Sequence, residues 1–180
     1  MRIIGLAGWS GSGKTTLLTK VIPRIVARGL KVSTIKHAHH AFDLDQPGKD
    51  SHTHRMAGAT EVLVGSARRW AIVHELRGEA EPTLAALLEK ASPVDLVLVE
   101  GYKGASHPKL EVHRARLGKP LLHPDDPAIV AIAADEPHPP ARVPVIDLDD
   151  VERIVDILLR HAAPVDCGLA AATRSRVASD

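Results

Sequence analysis

The sequence predicts an α/β fold: a mainly parallel twisted sheet with helices on both faces and one antiparallel hairpin. Three observations carry that expectation. Apolar runs of strand length alternate with helix-like segments along most of the chain. A glycine-rich turn separates the first apolar run from the first helical segment. Two short runs, residues 60–64 and 69–74, are separated only by Gly65-Ser66-Ala67-Arg68, which is hairpin spacing.

Taken in order, residues 2–7 read as the first strand, and a helix follows from about residue 14 to 28, with Pro23 bending it and Gly29 ending it. Residues 31–36 form a second strand. Residues 37–49 are polar, rich in His and Asp and broken by Pro47-Gly48, and so make a loop at the carboxyl end of that strand. Asp50 reads as the N-cap of a short helix to about Ala57. After the hairpin, Pro82 opens a helix to about Ala91, residues 95–99 form a buried strand, and residues 110–113 alternate apolar and polar side chains. Seven of the thirteen prolines fall between Pro120 and Pro144, so that stretch is mostly loop around one strand, residues 129–133. Asp149 or Asp150 caps a last amphipathic helix carrying Val151, Ile154, Val155, Leu158 and Leu159 on one face. From Pro164 onward the chain turns small and polar. Residues 1–163 are thus expected to form a single nucleotide-binding domain, and residues 164–180 a flexible tail.

Composition narrows the function. Of 180 residues, 23 are Lys or Arg and 22 Asp or Glu, a net charge of +1. That is too little positive field for sequence-independent binding to nucleic acid. No apolar run is long enough to span a membrane, and the stretch 3–9 is too short for a signal core. The single cysteine, Cys167, has no partner in its own chain, which suits a reducing, cytoplasmic setting.

Gly8-Trp9-Ser10-Gly11-Ser12-Gly13-Lys14-Thr15 matches the phosphate-loop pattern between a strand and a helix, which makes the expected fold P-loop NTPase-like. The glycines allow backbone N–H groups to turn inward around phosphates at a helix N-terminus. Lys14 then reaches the β- and γ-phosphates, and the Thr15 hydroxyl ligates Mg²⁺. Thr16, next on the helix, and Lys36, ending the second strand, join them as candidate nucleotide contacts. Residues 95–99 lead into Glu100, an acid at the carboxyl edge of the sheet, where Mg²⁺ with its few oxygen ligands would be met. Asp50, where the loop returns into a helix, is the second candidate carboxylate. Lys14, Asp50 and Glu100 are therefore the candidate catalytic groups, and Thr15, Asp50 and Glu100 the candidate metal ligands.

Residues 36–54 hold five of the eleven histidines. Their spacing fixes no ligand geometry, so a metal site, a substrate contact and a solvated loop all remain open for His37, His39 and His40.

Beyond the phosphate loop, the segments Thr34-Ile35-Lys36-His37-Ala38-His39-His40-Ala41-Phe42-Asp43, Pro47-Gly48-Lys49-Asp50-Ser51, Leu98-Val99-Glu100-Gly101-Tyr102-Lys103 and Pro108-Lys109-Leu110-Glu111-Val112-His113-Arg114 resemble the molybdopterin-guanine dinucleotide biosynthesis protein B family. The resemblance runs to about Asp135. It implies a GTP-binding adaptor with weak GTP hydrolysis and Mg²⁺, often a homodimer. Such an adaptor acts with molybdopterin or its molybdenum cofactor, beside the molybdopterin guanylyltransferase that attaches GMP. Residues 99–101 also resemble dethiobiotin synthetase, whose metal ligands carry over to Thr15, Asp50 and Glu100. Two rivals share the loop: a small-molecule kinase, with Lys36, Lys49, Lys103, Arg114 and Arg116 as closing cations, and a nickel-insertion GTPase using the histidine loop. The chain contains no asparagine, so the guanine reader Asn-Lys-x-Asp is impossible. Asp135, just past a late strand, is the candidate acceptor for the guanine N–H groups, with Glu136 its competitor.

Overall fold

A computed structural model of the chain describes residues 1–38, 42–137 and 141–165. Its contacts define two compact units: Met1–His37 with the described residues from Leu84 onward, and residues 38–83. The expectations for His39, His40, Cys167 and most of the tail fall outside the described residues.

The elements run β1 (Arg2–Ala7), α1 (Lys14–Ala27), β2 (Val32–Lys36), α2 (Asp50–Met56), β3 (Glu61–Gly65), β4 (Trp70–His74), α3 (Leu84–Lys90), β5 (Leu96–Glu100), β6 (Lys109–His113), a 3-10 turn (Ala115–Leu117), β7 (Ile129–Ala134), β8 (Val145–Asp147), α4 (Val151–His161) and β9 (Ala163–Pro164). In the larger unit the sheet order is β2-β5-β1-β6-β7-β8, every neighbouring pair parallel, with β9 antiparallel to the start of β1. The fold is thus the expected mainly parallel sheet. β1 and β5 lie inside it, which explains why they read as continuous apolar runs. Alternation still sorts their side chains. Ile4, Leu6, Leu96 and Leu98 pack with Leu17, Val21 and Ile25 of α1 and Ile154, Val155 and Leu158 of α4. Ile3, Val97 and Val99 face the other way, onto Leu84 and Leu88 of α3. Each such fully buried aliphatic side chain contributes about 1.5 to 3 kcal/mol.

Several sequence expectations need correction. Asp50 is the first helical residue of α2, not its cap; Lys49 holds that position and makes no side-chain cap. The third helix starts at Leu84, so Pro82 lies ahead of it. β8 lies just past the proline-rich stretch and is not among the expected strands, since three residues are too few to show a period. Pro164 is not frayed: Ala163 and Pro164 pair with Ile3 and Arg2, and the Val165 amide donates to the Met1 carbonyl. Asp150 does cap α4, accepting from the Arg153 amide at 3.1 Å.

The smaller unit contains α2 and the expected β3–β4 hairpin. Its Arg55 guanidinium donates to Glu75 at 2.7 Å and to Asp43 at 2.8 Å, and these carboxylates raise its pKa.

β6 departs most from a simple reading. Lys109, Glu111 and His113 alternate with Leu110 and Val112, yet all five are buried. The loop before β7 covers the polar face. Lys109 Nζ donates to Asp126 Oδ2 at 2.9 Å, and Glu111 accepts the amides of Leu122 and His123 at 2.7 and 2.9 Å. His107 is buried against Gly5, and neither ring nitrogen has a hydrogen-bond partner among the described residues. Burial first, and then the nearby Lys109 ammonium, push its imidazole down to about 4.

That depressed value makes stability depend on pH. The unfolded chain takes up a proton on this ring near pH 6.5, before the folded protein does near 4. The contribution is therefore complete above about pH 6.5 and is lost as pH falls through 4, at most about 3 kcal/mol. Urea unfolding at pH 7.5 and at pH 5 should show this fall, and His107→Leu should flatten it. An unchanged slope in the variant would show that other groups set the pH dependence.

Candidate phosphate-binding site

β1 ends at Ala7 and the chain turns directly into the loop that opens α1. Gly8 adopts φ 145° and its missing Cβ would lie 2.5 Å from the Val112 carbonyl, so a side chain there would collide with β6. Gly13 closes the loop in the left-handed conformation at φ 95°, ψ 19°, and its carbonyl accepts the Leu17 amide at 2.8 Å. Thr15 and Thr16 are exposed in the first turn of the helix, as are Ser10 and Gly11 in the loop; Ser12 is buried.

Lys14 Nζ lies across this loop, donating to the Gly8 and Trp9 carbonyls at 2.9 and 3.0 Å. Burial is the main cause of its lowered pKa; the neighbouring Lys103 and Lys36 push the same way, while Glu100 opposes them. The Thr15 hydroxyl donates to Glu100, at 2.9 Å from Oε1 and 3.1 Å from Oε2. Glu100 is buried at the end of β5 because Leu6 of β1 and Lys36 of β2 are its register partners on either side. Lys36 Nζ stands 3.9 Å from Oε1. The hydroxyl and carboxylate that spacing singled out are thus adjacent, and this all-oxygen pair suits Mg²⁺.

After Glu100 the backbone reverses through Gly101 at φ 98° and Tyr102 at φ 49°. A Cβ on Gly101 would come within 2.6 Å of the His37 Cβ, so glycine lets the β2 and β5 loops touch. The Tyr102 and His37 rings meet at 4.8 Å. Of the other expected site residues, Asp50 is exposed at the start of α2, in the smaller unit. Asp135 follows β7 and is already engaged: Oδ1 accepts the Ala115 amide at 3.0 Å, and Oδ2 lies 3.5 Å from Arg114 Nη1. The Ala115 amide is the main cause of its lowered pKa.

Arg114, one of the candidate closing cations, does lie at the loop: its guanidinium covers Gly13, with Nη2 3.6 Å from where a Cβ would stand. The surroundings of Trp9 escaped the sequence reading. Trp9 Nε1 donates to the Pro120 carbonyl at 2.8 Å. Lys103 and Lys119 place their ammonium groups 5.2 and 5.7 Å from the Trp9 ring centroid. A tryptophan inside a phosphate loop was the available signal, but its partners lie more than ninety residues away.

The family model for molybdopterin guanine dinucleotide synthesis protein B matches residues 3–135, from β1 past the phosphate loop and Glu100 to Asp135. The chain belongs to this family. It is 41% identical over 160 residues to the molybdopterin-guanine dinucleotide biosynthesis adapter protein of Escherichia coli K12, covering 87% of this chain and 91% of that one. The adapter protein of Haemophilus influenzae is 38% identical over 156 residues, covering 87% and 86%. A crystal structure of molybdopterin-guanine biosynthesis protein B superposes with a TM-score of 0.70 at 28% identity, covering 88% of this chain and 98% of that one. The match to the synthesis protein B family spans both glycine-dependent turns, at Gly8 and Gly101.

Proposed function

We propose that this chain is a GTP-binding adapter in molybdopterin guanine dinucleotide biosynthesis, with weak Mg²⁺-dependent hydrolysis, acting beside the guanylyltransferase that joins GMP to molybdopterin. The observation that carries the nucleotide part is the phosphate loop opening α1 with the Thr15 hydroxyl on the Glu100 carboxylate. Amides of the loop and the N-terminus of α1 bind the phosphates. Lys14 supplies a point charge, and Arg114, over Gly13, a second cation. Thr15 and Glu100 would hold Mg²⁺, whose part is to neutralise negative charge on the phosphate oxygens. Asp135 reads the guanine N–H groups through Oδ2. His37, Tyr102 and Lys103 form a face for the pterin or the partner enzyme.

A nucleotide panel tests this reading: GTP, GDP, ATP and XTP with Mg²⁺, scoring binding and phosphate release separately. Wild type should prefer GTP. Glu100→Gln keeps the volume and removes the charge, so Mg²⁺-dependent binding or release should fall while the melting temperature stays within ordinary surface-mutation limits. Asp135→Asn should erode guanine selectivity; retained selectivity with weakened phosphate binding would mean that it acts by holding Arg114. No preference among nucleotides, with or without Mg²⁺, would overturn the reading.

The homodimer rests on the hairpin. Leu63, Trp70 and Ile72 share one face and are 67%, 69% and 47% exposed. An isolated two-stranded sheet with such a face is marginal in water. Sedimentation should give about twice the chain mass of 19.3 kDa, and Ile72→Lys should shift it toward the monomer.

A further inference from the structure

Two turns from distant parts of the chain converge on the indole of Trp9, inside the phosphate loop. Lys103, in the turn after β5, and Lys119, just past the 3-10 turn, place their ammonium groups 5.2 and 5.7 Å from its ring centroid, and Trp9 Nε1 donates to the Pro120 carbonyl at 2.8 Å. Both lysines are exposed, and among the described residues neither ammonium forms an ion pair or a hydrogen bond. We propose that Lys103 and Lys119 are the residues by which this chain tells a nucleoside triphosphate from a diphosphate, and that Trp9 is the positioning residue that holds their charges beside the terminal phosphate. The inference rests on the nucleotide reading of the phosphate loop and deepens it.

The place of the terminal phosphate follows from Lys14. In a phosphate loop the backbone amides cradle the α- and β-phosphates, and the lysine reaches the β- and γ-phosphates. Lys14 Nζ lies within 3.0 Å of the Gly8 and Trp9 carbonyls, so the outermost phosphate falls on the Trp9 side of the loop. A diphosphate ends short of that side. Burial is the chief cause of the lowered Lys14 pKa, and Lys103 adds to it, so the Lys103 charge already acts on the ammonium that meets the phosphates.

Two ammonium groups beside one ring repel each other, and nothing but the ring opposes their parting. The indole face holds them through its quadrupole, an attraction weak enough to be given up. A γ-phosphate presents full negative charge and several acceptor oxygens, so it draws the ammonium groups off the ring. Each sits on a flexible four-carbon stem and can swing without backbone movement. Lys103 directly follows Tyr102, which is held at φ 49° with its ring 4.8 Å from that of His37. A pull on Lys103 therefore also acts on the face assigned above to the pterin or the partner enzyme.

The test uses the full chain carrying Trp70→Phe, which leaves Trp9 as its one tryptophan. Calorimetry gives the affinities for GTPγS and GDP with Mg²⁺, and Trp9 emission follows the surroundings of the ring. GTPγS should bind at least about tenfold more tightly than GDP and change the emission, whereas GDP should leave it near its free value. Lys103→Met and Lys119→Met should each reduce that preference about threefold or more, through weaker GTPγS binding at an unchanged melting temperature. Together they should abolish the emission change. Trp9→Leu should reduce the preference likewise, and Trp9→Phe, which keeps an aromatic face, should retain more of it. An undiminished preference in the double lysine variant, or an equal emission change with GDP, would overturn the proposal. Equal losses of GTPγS and GDP binding would also overturn it, the lysines then adding only a general positive field. If the parent chain binds neither nucleotide, the nucleotide reading falls too; if it binds both and the lysine variants keep its preference, only this inference falls.

Discussion

Lys109→Ala should cost about 3 to 5 kcal/mol of folding stability. The Lys109 side chain is 2% exposed and its ammonium lies 2.9 Å from Asp126 Oδ2. Removing it leaves a partly buried carboxylate without its counter-charge and opens a hole beside His107 and Gly5. In a domain of this size the loss amounts to roughly 6 to 20 °C in melting temperature. Asp126→Asn opens no hole but leaves the more deeply buried ammonium without its counter-charge, so it should also destabilise by more than a surface change. A shift of under about 1 kcal/mol in urea unfolding of Lys109→Ala would show that the pair contributes no more than a surface ion pair.

The second large effect is on binding. Lys14→Ala removes a cation that lies across the phosphate loop within 3.0 Å of two of its carbonyls. Charge-assisted contacts of this kind are worth about 1.5 to 3 kcal/mol, so triphosphate affinity should fall roughly 10- to 150-fold. Equilibrium binding of GTP checks it, with a melting curve to show that the variant is folded. Unchanged affinity in a folded variant would remove the phosphate-loop assignment and with it the nucleotide half of the proposed function.

What the sequence made legible follows physical lines. β1 matched to the residue because a strand buried on both faces is an unbroken apolar run, and a glycine turn closes it. The Thr15–Glu100 contact was inferable because Glu100 ends β5 and Thr15 stands in the first turn of α1, which follows directly from the carboxyl end of β1, the strand beside β5. Other features depend on what covers a surface, which period cannot show. Lys-Leu-Glu-Val-His at 109–113 looks half solvated, and only the loop that donates the Leu122 and His123 amides buries its polar side. Asp135 stood where expected in the chain, but its bond to the Ala115 amide depends on the 3-10 turn, for which Arg114 to Gly118 carried no recognisable signal. Asp50 was displaced by a single residue, the ordinary uncertainty of a helix end without a side-chain cap.

The strand order also determines what happens while the chain is being made. β1 is synthesised first, but Arg2 pairs with Leu96 in β5, and Gly5 pairs with Lys109 in β6. At ribosomal speeds of about 5 to 20 residues per second, the Ile-Ile-Gly-Leu-Ala run waits roughly 5 to 20 s for its first parallel partner to emerge. During that interval an apolar strand with two open edges is exposed on the nascent chain, a ready substrate for trigger-type chaperones and for aggregation. Slower decoding after residue 109 would not protect it, whereas faster passage through residues 38–83 would shorten the exposure directly.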